Sequence, residues 1–377
     1  MIYKKLFGLE ISALGLGAMR LPTVNGNNKE IDKVATAEIV EYAISSGVNY
    51  FDTAYVYHGG TSEAVLCEIL SKYPRDSYYL ADKFPGFNTD YCEKLKDIFE
   101  EQLKRCRTEY FDFYLFHNVS DKSVEWYTDP KYGVMDYLWE QKQKGRIRHL
   151  GFSCHSSFDS FKRFLDMYGD KLEFCQLQVN YLDWNFQDVK SKISLLEERN
   201  IPVWVMEPVR GGRLCKLPIS AELELKKMRS DETLPGWAFR FIQSIPSVGV
   251  TLSGMSNLKQ LKENIKTFSE FKPADDRERK TLIGIADEMV QAGVLQCTGC
   301  SYCTDGCPVQ LDIPSLISLY NDYLYTKDTE SARKKLSLFE DDKLPSACIA
   351  CKECEAVCPQ GIKISEAFSK FTEEVKK

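Results

Sequence analysis

Two cysteine runs constrain this chain more than any other feature. The first is Cys297-x2-Cys300-x2-Cys303-x3-Cys307-Pro308, and the second is Cys348-x2-Cys351-x2-Cys354-x3-Cys358-Pro359. Three thiols at i, i+3 and i+6 in a tight loop can meet three irons of one cubane. The fourth, four residues further on and followed by proline, leaves that loop and points elsewhere. Zinc also favours C-x2-C pairs, but it takes its ligands as two separated pairs, whereas each run here supplies four cysteines and ends in proline. The runs predict two [4Fe–4S] clusters. A segment this short, built around two clusters, is expected to fold poorly without iron.

Each run resembles that of the bacterial two-cluster ferredoxins. The resemblance implies crossed ligation, with Cys297, Cys300, Cys303 and Cys358 on one cluster and Cys348, Cys351, Cys354 and Cys307 on the other. Between the runs, Ile313, Leu316, Ile317, Leu319 and Tyr320 recur at helical spacing, and Thr329–Leu338 is charged and free of proline. This interval resembles the helical two-cluster ferredoxins attached to dehydrogenases and reductases. Residues 291–377 therefore read as a small, mainly α-helical ferredoxin-like domain, whose last helix can pack back on the domain before it.

Of the 14 cysteines, the other six are scattered (Cys67, Cys92, Cys106, Cys154, Cys175, Cys215) and read as small buried hydrophobes in a reducing compartment. Neither an apolar leader at Met1 nor a run long enough to span a bilayer is evident, so a cytoplasmic location and no membrane insertion are expected. The net charge of −6, with basic residues dispersed, argues against nucleic acid as the partner.

Before Gln291, short apolar runs alternate with amphipathic segments. Strands are expected at Leu14–Ala18, Asn49–Asp52, Tyr79–Asp82, Phe113–His117, His149–Ser153, Phe174–Gln178, Val203–Met206 and Val248–Leu252. Helices are expected at Thr36–Ser46, Glu63–Lys72, Tyr91–Cys106, Val134–Lys144 and Asn257–Phe268. Eight such alternations favour an α/β fold of the (β/α)8 TIM barrel type over residues 1–290. Tyr3–Leu6 and Glu10–Ser12 around Gly8-Leu9 read as a hairpin that can cover the barrel's bottom.

Barrel chemistry sits at the C-terminal ends of strands. Asp52 ends the second strand, Lys83 follows the third, His117 ends the fourth, and Tyr57 lies in the loop after the second. Singly, each reads as readily as a cap, a turn residue or a structural histidine. Together they form a set suited to carbonyl reduction. An adjacent ammonium would lower the pKa of a tyrosine able to give a proton, Asp52 would hold Lys83, and His117 would polarise the carbonyl.

Over residues 1–290 the chain resembles the aldo-keto reductases. The matching runs are Leu14-Gly15-Leu16-Gly17-Ala18-Met19-Arg20, Phe51-Asp52-Thr53-Ala54-Tyr55-Val56-Tyr57, Gly151-Phe152-Ser153, Gln176-x3-Asn180, Pro208-x2-Gly211-Gly212-x-Leu214 and Glu263-Asn264. The resemblance implies a catalytic tetrad of Asp52, Tyr57, Lys83 and His117, with Tyr57 as general acid. It also implies an NADP(H) or NAD(H) site drawn from Gly17, Met19, Arg20, Ser153, Gln176, Met206, Pro208, Gly211, Gly254, Asn257, Gln260, Glu263 and Asn264. The chain departs from the family at three places. Cys154 replaces an asparagine, Met206 replaces an aromatic residue, and Gln260 stands where arginine is common.

A hydride carries two electrons, and a cubane passes one at a time, so coupling the halves normally needs a flavin, for which no motif is evident. Three readings stay open: a carbonyl or quinone reductase accompanied by its clusters; a flavin- or ferredoxin-linked reductase exchanging electrons with an external ferredoxin or flavodoxin; and an inactive barrel serving as a docking scaffold. Tyr55, Trp126, Tyr127, Tyr181 and Trp184 can line an aromatic pocket or anchor loops.

Overall fold

The computed structural model of the chain describes residues 1–304 and 306–376. It opens on a two-residue turn, in which Phe7 (φ 55°) and Gly8 (φ 76°) both take left-handed backbone conformations. That pair of conformations matches the twist of a tight hairpin. It joins β1 (Tyr3–Leu6) to β2 (Leu9–Ser12), with Leu6 opposite Leu9.

Eight parallel strands follow: β3 (Leu14–Gly17), β4 (Tyr50–Asp52), β5 (Tyr79–Phe84), β6 (Phe111–Val119), β7 (Ile147–Cys154), β8 (Phe174–Gln178), β9 (Val203–Met206) and β10 (Val248–Ser253). They close in chain order, β10 pairing with β3, so every expected strand is present. Tyr50, Phe113, Phe174 and Trp204 fill the interior, and Leu6 and Leu9 of the hairpin pack against them. Phe7 stacks on His149 at 4.5 Å between ring centres. The hairpin thus stoppers the N-terminal end of the barrel and leaves the other end for chemistry.

The helices begin where side chains satisfy free backbone N–H groups. Asp32 accepts from Val34 and Ala35, starting the first long helix at Lys33, ahead of the expected Thr36. The expected helix Tyr91–Cys106 is two, Thr89–Glu93 and Leu95–Arg105, parted at Lys94.

The chain divides into two compact units, one of residues Met1–Pro208 with Pro235–Asp275, the other of Val209–Leu234 with Asp276–Lys377. This differs from a cut after residue 290. The helix Asp276–Gln291 joins the C-terminal unit, where Arg229 donates to both carboxylate oxygens of Glu278 at 2.6 and 2.5 Å. That unit is helical, as expected, with Ile313–Thr326, Thr329–Leu336 and Ile364–Lys376 around a core of Leu316, Ile317, Tyr320, Phe368 and Phe371. Tyr320 and Phe371 stack at 4.8 Å.

Candidate active site and thiol cavities

Four strand ends bring the expected tetrad together. Lys83 lies inside β5 rather than after it, so alternation along the strand points its amine into the barrel mouth. Its Nζ donates to Asp52 Oδ1 at 2.5 Å and to the Thr53 carbonyl at 2.6 Å, and both charged residues are buried. The same Nζ stands 5.0 Å from the centre of the Tyr57 ring. Tyr57 meets the His117 ring edge-on, 5.7 Å between centres. The turn carrying Tyr57 is pinned by its neighbour: His58 Nε2 accepts from Leu21 N–H, and Nδ1 faces the Asn28 carbonyl at 2.8 Å.

The electrostatics correct one expectation. Burial, with Asp52 and Glu207 nearby, holds the Tyr57 phenol well above its ordinary pKa, so the resting side chain is a neutral donor and not a lowered-pKa acid. Burial also raises Asp52, against the pull of Lys83. Burial and the Lys83 charge hold His117 well below its ordinary value, so its imidazole is neutral. A neutral imidazole can still donate one hydrogen bond to a carbonyl oxygen.

Behind the tetrad lies a polar layer that the sequence reading did not assign. Gln102 Nε2 donates to Glu63 Oε1 and to the Lys83 carbonyl, both at 3.0 Å, and Tyr114 OH donates to Gln102 Oε1 at 2.5 Å. Arg105 donates to Glu63 Oε2 at 2.8 Å. Burial and the Glu63 charge raise the Asp82 pKa well above normal, so this layer disfavours the charged form of Asp82. Glu63 directly after Ser62, at the start of a helix, was the available signal.

The residues expected around a nicotinamide divide into three groups. At the barrel mouth, Gly17 ends β3, and Met19 and Arg20 form the turn Ala18–Arg20. Arg20 pairs with Glu207 at 3.3 Å, its stem lying against Gly254, where a Cβ would come within 3.0–3.1 Å. Met206 ends β9 and precedes Glu207 and Pro208. Ser153 accepts from the Asn118 N–H, and the buried Gln176 Oε1 has no hydrogen-bond partner among the described residues. On the last barrel helix, Asn257 caps Leu258–Thr267 by accepting from Gln260 N–H. Gln260 accepts from Ser256, the buried Asn264 donates to Ser253 Oγ, and Glu263 is exposed. Gly211 belongs to the C-terminal unit. The unsatisfied amide oxygen of Gln176 fits a carboxamide N–H, so the mouth suits a nicotinamide ring.

The aromatic candidates serve mainly as anchors. Tyr127 OH donates to the Phe84 and His117 carbonyls at 3.0 and 2.6 Å, and Tyr181 and Trp184 both pack edge-on against Phe241.

In the C-terminal unit, Cys307, Cys348, Cys351 and Cys354 line one cavity, together with Leu311 and Ile364. Cys297, Cys300, Cys303 and Cys358 line another, with Ile317 and Ile362. These groupings match the two crossed quartets that the resemblance implies. Four thiols around an apolar cavity fit a cubane, and the Gly299 N–H donates to Cys297 Sγ at 3.3 Å, the kind of bond that tunes a cluster's potential. The two halves repeat each other at an interval of 51 residues, as from Cys297 to Cys348. Left-handed backbone recurs at Gly299 and Ala350, Ser301 and Lys352, and Gln310 and Gly361, and a helix starts at Ile313 and again at Ile364. Asn321 fastens the first loop, accepting from Leu295 N–H at 2.7 Å and donating to its carbonyl at 2.8 Å.

Comparison with known proteins agrees with this architecture. The aldo/keto reductase family model matches residues 13–287, and the 4Fe-4S dicluster domain model matches residues 296–362. The L-galactose dehydrogenase of Arabidopsis thaliana is 26% identical over 286 residues, 70% of this chain and 86% of that protein. The uncharacterized oxidoreductase YqkF of Bacillus subtilis is 24% identical over 292 residues, 68% and 87% of the two chains. Among solved structures, the holo form of aldo-keto reductase AKR11C1 from Bacillus halodurans superposes with a TM-score of 0.62 at 24% identity, over 76% of this chain and 96% of its own. The chain therefore belongs to the aldo/keto reductase family, as an oxidoreductase with a C-terminal 4Fe-4S dicluster domain.

Proposed function

We propose that the barrel reduces a small carbonyl or quinone-like compound with NADPH or NADH, and that the C-terminal unit carries two [4Fe–4S] clusters exchanging single electrons with an external ferredoxin or flavodoxin. The observation that carries the first part is the buried Lys83–Asp52 pair set beside the Tyr57 ring, with His117 at the ring's edge. The two thiol-lined cavities carry the second. The six remaining cysteines, mostly buried, suit a reducing cytoplasm.

The residues divide the work. A nicotinamide dinucleotide, when bound, supplies a hydride to the carbonyl carbon. Tyr57 gives its phenolic proton to the carbonyl oxygen, and the neutral His117 imidazole donates a hydrogen bond to the same oxygen. Lys83 acts on the phenolate this leaves rather than on the resting phenol. Asp52 holds the ammonium charged and in place. Arg20, Ser153, Gln176, Gly254 and Asn257 would hold the cofactor along the mouth, with Gln176 Oε1 accepting from the carboxamide.

Steady-state oxidation of NADPH and NADH by simple aldehydes and quinones, on protein purified without oxygen, tests the barrel. Tyr57→Phe should lower kcat by about a hundredfold or more, the usual size of a general-acid contribution. An unchanged kcat sinks this role. Iron analysis should find about eight irons per chain.

A further inference from the structure

The two halves of the C-terminal unit share a backbone path and differ in what they show to solvent. In the first loop, Cys297, Thr298, Gly299 and Cys300 are all at least partly buried, and Thr298 is 4% exposed. In the second, the run from Ile349 to Glu353 is exposed throughout, including the thiol-bearing Cys351. Ile349, the counterpart of Thr298, is 62% exposed, and Val357 is 50% exposed. Ala350 and Ala356 are exposed as well, as are Lys352 and Glu353 between them. Ile349 and Cys351 both line the cavity of Cys307, Cys348, Cys351 and Cys354, so an exposed apolar side chain stands on the same cavity as an exposed thiol.

We propose that this second cavity is where single electrons enter or leave the C-terminal unit, through a brief apolar contact between the Ile349–Val357 rim and a small protein carrying a one-electron centre. The inference rests on the reading that the clusters exchange electrons with an external carrier, and it names which cluster does so. Large exposed apolar side chains around a functional group mark a contact surface. The few exposed apolar side chains of this loop suit the small surface of a weak redox encounter and are too few for a stable complex. In the step itself the carrier loses one electron and the cluster gains one, or the reverse, with no bond made or broken.

The test uses the full-length holoprotein under anaerobic conditions. Limiting ferricyanide takes one electron from a solvent-reached cubane, which then releases one Fe²⁺ and leaves a three-iron cluster with its own EPR signal. One such signal per chain should form at least about tenfold faster than the second, because exposure governs which cluster is oxidised. Stopped-flow mixing with a reduced bacterial two-cluster ferredoxin then reads the docking rim. Ile349→Asp and Val357→Asp should each lower the second-order rate about tenfold, and Ser301→Asp, on the first loop, should leave it within about twofold, with iron content and EPR line shapes unchanged. Equal ferricyanide phases, or equal effects of all three substitutions, overturn the inference while transfer itself stands. Unequal phases with no transfer from the wild type to ferredoxin or flavodoxin overturn the electron-exchange reading and the proposed partner with it. A concentration-dependent dimer abolished by Ile349→Asp would give the rim to a second copy of this chain and also overturn it.

Discussion

Lys83 Nζ lies 2.5 Å from Asp52 Oδ1 with both side chains almost wholly out of water. Two charges so placed are stable only as a pair, because each would be strongly disfavoured alone. Lys83→Met should therefore do two separable things. It leaves the Asp52 carboxylate uncompensated, destabilising the barrel by about 3–5 kcal/mol, and it removes the charge that stabilises a Tyr57 phenolate. The double variant Lys83→Met/Asp52→Asn should recover much of the stability and none of the turnover. Chemical denaturation followed by tryptophan fluorescence, beside kcat, separates the two.

The histidines set an acid limit. His155 is held down to about 4 by burial and the Lys192 charge, and His117 is also held well below its ordinary value. Both are neutral in the folded state and take up a proton when unfolded near pH 6.5, so the unfolded chain binds more protons over that interval. Stability attributable to them is present above about pH 6.5 and is lost as pH falls, by up to about 1.4 kcal/mol per unit for each. His155→Gln should flatten the pH dependence of the urea midpoint between pH 6.5 and 4 relative to wild type. Parallel slopes for the two proteins would refute this.

The barrel wall leaves no room at Gly151. A Cβ there would lie 2.5 Å from the Phe174 carbonyl oxygen and 2.6 Å from its ring, and the backbone oxygen cannot rotate away. Gly151→Ala should destabilise by about 1–3 kcal/mol through overpacking. Differential scanning calorimetry should show the melting temperature falling by several degrees.

Crossed ligation predicts which cysteines fail together. Cys307→Ser and Cys348→Ser stand on one cavity, so the double variant should lose no more iron than either single variant, about four of eight atoms. Adding Cys358→Ser to Cys307→Ser should strip both clusters. Iron analysis and EPR after identical anaerobic reconstitution decide between crossed and local ligation.

What the sequence determined by itself was periodic or spaced. The eight strands followed from short apolar runs with helical segments between them, because a strand buried on both faces needs a continuous apolar stretch whatever its neighbours are. The cysteine spacing carried the cluster ligands, and the resemblance carried their crossing. Element ends were less legible. Lys83 reads as a residue after a strand, but pairing with Phe111–Val119 extends β5 to Phe84 and so fixes the direction of its amine. Only the tertiary structure decided the quantities that depend on burial. The Tyr57 phenol is raised rather than lowered, because enclosure, with Asp52 and Glu207 nearby, outweighs the charge of Arg20. The Glu63–Asp82–Gln102 layer exists only where helix packing carries carboxyl groups from distant segments out of water. The two thiol loops, alike in cysteine spacing, became unequal in exposure in the same way, since exposure is set by what folds over a residue.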